Sequence, residues 1–180
     1  MARFVTSLTL ALVLLALAGT ARAQFATTGT GSVAVNVSAE ASIHIDTASV
    51  TLASTGTNFA DYVGSTNFTY KVRTGATAGT AGITLQVTSD FNGANGPSVA
   101  ASGVTGDTLS YTCAVTAPAN SCSGSQIAST TAATPVGTFG ANVRSAKAGN
   151  TGSVSWTLVN DPAYAVGTYT AVVTYTISAT

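Results

Sequence analysis

The stretch GTYTAVVTYTISAT, residues 167–180, decides how this chain folds. Read in alternation, Tyr169, Ala171, Val173, Tyr175 and Ile177 fall on one side, and Thr168, Thr170, Val172, Thr174, Thr176 and Ser178 on the other. Successive side chains of an extended strand point to opposite faces, so a period of two describes a strand with one buried face. β-Branched and aromatic residues fill the stretch and no charge interrupts it, which suits a pleated, half-buried surface.

The same period recurs along the chain. Val33, Val35 and Val37 alternate with small polar residues, and Ile43 and Ile45, then Val50 and Leu52, repeat the pattern around a turn at Asp46-Thr47. Phe68, Tyr70 and Val72 oppose Thr69, Lys71 and Arg73, so the two cations are expected to face water. Ile83, Leu85 and Val87 form another apolar face, as do Leu109, Tyr111, Cys113 and Val115, and Val154, Trp156 and Leu158. Between these runs stand turn formers such as Thr74-Gly75, Asn92-Gly93, Asn95-Gly96-Pro97, Gly106-Asp107 and Asn160-Asp161-Pro162. Residues 126–147 carry the weakest pattern and are expected to hold one or two irregular strands around Pro135.

About seven to nine short strands, each with one apolar face, close their cores most economically against one another. The predicted fold is therefore all-β, an antiparallel two-sheet sandwich that is Ig-like in size, with Trp156 as a core aromatic between the sheets. A small barrel stays open as the alternative, since strand spacing alone does not separate the two.

The first residues carry a different signal. Arg3 precedes an apolar run through Ala18, and Ala21-Arg22-Ala23 places small residues where a signal peptidase reads. Residues 1–23 are expected to be a secretory signal peptide, 24–31 a flexible arm, and 32–180 a single sandwich domain. No later segment is long and apolar enough for a membrane span of ~20 residues. Export places Cys113 and Cys122 in an oxidising compartment, where a disulfide closing a short loop is the natural reading of the only two cysteines. The expected location is extracellular, on the cell surface, or periplasmic.

Composition narrows the function classes. Charged residues make up 7% of the chain, against about 25% in an ordinary soluble domain. Beyond residue 23 the only cations are Lys71, Arg73, Arg144 and Lys147, too few for the phosphate neutralisation that sustains nucleic-acid binding. His44 and Asp46 share a strand face, yet no G-x-S-x-G elbow presents a nucleophile to them. Asp90, Asn92 and Asn95 have the oxygen-rich composition of a calcium loop, but Ala94 occupies a ligand position and no closing glutamate follows. The six carboxylates are dispersed, with no local pair of the kind glycosidases use. A non-enzymatic protein without metal or cofactor is expected.

Two likenesses indicate a role. Trp156-Thr157-Leu158, followed by Val159-Asn160-Asp161-Pro162 and GTYTAVVTYTI, resembles the C-terminal region of WxL-domain proteins. That resemblance implies a secreted, β-rich, non-catalytic protein in contact with cell-wall polymer or glycan. Gly167 followed by the alternating Tyr169, Val173, Tyr175 and Ile177, together with Val33, Val35 and Val37 after a flexible arm, resembles chaperone–usher fimbrial subunits. That second resemblance implies self-association by strand addition, in which main-chain bonds supply affinity and alternate side chains fill pockets. The expectation is a bacterial surface protein, structural or adhesive.

Overall fold

The computed structural model describes residues 28–91, 95–99 and 108–180. The expected signal peptide over residues 1–23, the first residues of the expected arm, Asn92-Gly93 and Gly106-Asp107 lie outside these residues. The chain divides into two units, residues 1–36 and 37–180. Of the first, residues 28–36 are exposed and belong to no strand or helix.

The second unit is all-β, built from two antiparallel sheets. Its strands are β1 (Glu40–Ile45), β2 (Ala53–Ser54), β3 (Tyr62–Arg73), β4 (Ala81–Ser89), β5 (Leu109–Val115), β6 (Asn120–Ser121), β7 (Gln126–Ile127), β8 (Thr134–Phe139), β9 (Asn150–Leu158) and β10 (Val172–Ala179). One sheet has the order β1-β3-β9-β5-β7, with β2 also on β3, and the other the order β10-β4-β8-β6. Three of the strands have only two residues, so the substantial ones number seven.

The alternation explains the layering. Phe68, Tyr70 and Val72 of β3, Leu109, Tyr111 and Val115 of β5, and Val154, Trp156 and Leu158 of β9 face inward from the larger sheet. Ile83, Leu85 and Val87 of β4 meet them with Val136 and Phe139 of β8 from the smaller one. Ring pairs cross this core, Tyr70 with Phe139 at 5.3 Å and Tyr175 with Phe68 at 6.0 Å between centroids. Each is in a tilted or edge geometry that suits aromatic quadrupoles.

Buried polar tips are paired in the main. Trp156 Nε1–H donates to the buried Thr66 hydroxyl at 2.9 Å, and the Tyr70 hydroxyl donates to the Thr116 carbonyl at 2.6 Å. Tyr111 Oη donates to the Pro135 carbonyl at 2.9 Å and lies 2.8 Å from the Thr134 hydroxyl. Close packing also fixes a glycine. Gly152 of β9 sits opposite Phe68, and a methyl group there would press into the ring.

The disulfide joins Cys113 of β5 to Cys122, just beyond β6, and so ties one sheet to the other along the β6/β7 side. Cys113 packs against the core, on the apolar side of its strand.

Candidate functional site

The opposite side of the sandwich is built differently. There β1 is the margin of the larger sheet and β10 that of the smaller, and the two strands lie against each other without pairing. Their inward residues, Ile43 and Ile45 on β1 and Val173, Tyr175 and Ile177 on β10, are only half-buried, although they pack on the core. The β6/β7 margins are two residues long and cross-linked, while this side offers strands of six and eight residues with no covalent tie.

An edge strand presents unpaired N–H and C=O groups, and proteins usually blunt such edges with charge, proline, bulges or brevity. β1 carries Glu40 and His44. From Val173 to Ala179, β10 carries no charge and no proline, and its register slips only at its start, between Val172 and Val173. Its register with β4 sets Val173, Tyr175 and Ile177 directly across from Val87, Leu85 and Ile83, which keeps the apolar ladder continuous up to the free margin. β10 is thus paired within its own sheet on one side, and on the other it has no hydrogen-bonded neighbour among the described strands and lies against β1.

Several expectations change here. Tyr169 is not a strand residue: β10 begins at Val172, and the Tyr169 ring lies over Gly96 while its hydroxyl donates to the Ala165 carbonyl at 2.6 Å. Residues 167–171 lie outside β10 because its partner β4 ends at Ser89, which pairs with Val172. Val33, Val35 and Val37 form no strand either and are 101%, 85% and 59% exposed, since no neighbouring strand pairs with them. Val50 and Leu52 precede the two-residue β2 and are not in a strand.

Tyr175 is the chemically unusual member of the margin. Its hydroxyl is buried and has no hydrogen-bond partner. Burial pushes its pKa up to about 12, and a loose interaction with the Thr66 hydroxyl offsets only part of the effect. Burial also raises Tyr70 and Tyr111, against the hydrogen bonds that stabilise their ionised forms. A buried oxygen so placed is a destabilising feature of the β10 side.

The other candidate chemistry is accounted for locally. His44 Nε2 lies 3.8 Å from Asp46 on the exposed face, and the Thr69 hydroxyl donates to Asp46 at 2.9 Å instead of addressing the imidazole. The order needed for a nucleophile, base and orienting acid is therefore not assembled at this pair. Asp90 accepts the Phe91 and Val99 N–H groups at 2.8 Å each and the Ser98 hydroxyl at 2.7 Å, so its carboxylate ties these three residues together. Among the described residues no group of three or more His, Cys, Asp or Glu side chains converges, and no helix is long and apolar enough to cross a membrane.

Neither a family model, nor a curated protein, nor a solved structure matches the chain.

Proposed function

We propose that this chain is an exported, non-enzymatic structural protein of a bacterial surface that associates through its strand edges. Segment Val33–Val37 of one copy adds to the free margin of β10 in the next. The observation that carries this reading is the contrast between the two sides of the sandwich: one is shortened and cross-linked, while the other includes β10, a long strand without charge or proline. The arm supplies the matching part, three exposed valines at a spacing that puts them on one face of an added strand. Burying a valine contributes roughly 1.5–3 kcal/mol, so three give a gross gain of about 5–9 kcal/mol, comparable to the cost of ordering a five-residue segment, and main-chain hydrogen bonds to the edge supply the surplus. The disulfide suits an oxidising compartment, and a weakly charged, hydroxyl-rich surface suits a protein that packs against copies of itself.

Light scattering across a concentration series tests this. Protein comprising residues 24–180 is expected to grow in mass with concentration, while a form lacking residues 24–38 stays monomeric. Thr176→Lys, which places a charge on the exposed β10 margin, is expected to suppress growth without lowering the melting temperature. A monomer at every concentration, or growth unaffected by both changes, rejects strand addition.

A further inference from the structure

The charge distribution shows a second surface. Of the six cations in the chain, two lie within the first 23 residues. The other four, Lys71, Arg73, Arg144 and Lys147, all line one open concavity of about 370 Å³, in which Glu40 is the only acid. Their separation in sequence is bridged by backbone pairing: Arg73, at the end of β3, is directly opposite Arg144. Ser42 of β1 stands opposite Lys71, and Glu40 opposite Arg73.

Two features mark this as more than a solvated face. Like charges directly opposite on a sheet destabilise it, yet a chain poor in charge sets two arginines against each other. Glu40 compensates only one of them, through its 3.0 Å pair with Arg73 Nη2. Among the described residues Arg144 has no acid of its own and makes only a long 3.5 Å bond to the Asn142 carbonyl, while Lys71 and Lys147 are exposed. The loop that displays Arg144 and Lys147 is also held in place. Ser145 exchanges bonds with Val72 through its N–H and its hydroxyl, and Ala146 N–H donates to the Asn150 side chain at 2.8 Å. The cations therefore surround a fixed depression, and their repulsion is offset best when an anion enters it.

We propose that this concavity binds an anionic group carried on a glycan chain. Its four cations and one acid leave a local formal charge of 4 − 1 = +3, and Ser42 and Ser145 add hydroxyls suited to sugar oxygens. A bilayer surface fits less well, because none of the large exposed hydrophobic residues lines the site, and interfacial binding depends on such anchors. This inference does not rest on strand addition.

Titration calorimetry on protein comprising residues 24–180, at 20 and 200 mM salt, tests it with four probes. These are polygalacturonate for carboxylate, a glycosylated glycerol-phosphate polymer for phosphodiester, inorganic phosphate for the free ion, and dextran as the neutral control. Binding to one or both charged polymers that weakens with salt, with none to dextran, is expected, and the polymer that binds identifies the anion. The double variant Arg144→Gln/Lys147→Gln is expected to lose about thirtyfold in affinity, from about fivefold per exposed charge. Lys71→Gln, on a different element, should lose about fivefold. Arg144→Gln should melt no lower than the parent, because it relieves the opposed arginines. No polymer binding, unchanged affinity in the variants, or inorganic phosphate binding as tightly as the polymers would each overturn the proposal. Light scattering on the same samples reads assembly separately.

Discussion

Replacing Tyr175 by Phe removes one buried oxygen and leaves the ring in contact with Phe68. A buried hydroxyl without a partner carries a desolvation penalty of about 1–3 kcal/mol, so the variant should be more stable at pH 7 by about 1 kcal/mol. For the 144 residues of the unit spanning 37–180, that is a rise in Tm of about 3–4 °C. The pH dependence follows from the raised pKa. The folded state holds the Tyr175 proton up to about 12, against 10.0 for an ordinary tyrosine, so its protonation supports the fold fully below pH 10 and is lost between 10 and 12. At pH 11 the parent has given up about 1 kcal/mol through this residue alone, whereas Tyr175→Phe gives up none of it. The stability gap should therefore widen from about 1 kcal/mol at pH 7 to about 2 kcal/mol at pH 11. Urea denaturation followed by Trp156 fluorescence at the two pH values measures both quantities. A variant less stable than the parent at pH 7 would mean that the hydroxyl is satisfied, and a gap constant from pH 7 to 11 would refute the burial argument.

Two further changes probe the core and the cross-link. Gly152→Ala drives a methyl group into the Phe68 ring, and overpacking of this kind should lower stability by about 1–3 kcal/mol, read from the urea midpoint. Reducing the bond between Cys113 and Cys122, nine residues apart, should remove about 2–3 kcal/mol, seen as a lower midpoint in dithiothreitol with most of the slope retained.

The parts of this fold that alternation makes legible are those whose partners also alternate. Ile83, Leu85 and Val87 are opposed by Ile177, Tyr175 and Val173, and the pattern in each strand describes the same buried face. Val33, Val35 and Val37 carry the same period and make no strand, because alternation reports a face that can be buried and not whether a neighbour exists to bury it. β8 is faint in sequence because Pro135 offers no ladder N–H, and the register slips beside it, opposite Ile83 and Thr84. The cationic concavity is invisible to local reading: its two pairs lie some seventy residues apart, and only the pairing of Arg73 with Arg144 unites them. Strand order, likewise, is a property of topology, so the exposed position of β10 could not be read from its own residues.

The one-sided cross-link has a consequence for motion. With the sheets joined covalently between β5 and the end of β6, opening fluctuations are expected to begin along the β1 and β10 margin, where side chains are half-buried and edge backbone is unpaired. The sandwich behaves like a bound volume, its spine stitched and its fore-edge free. Such a body can part at one margin and close again while the core around Tyr111 and Val136 keeps its packing.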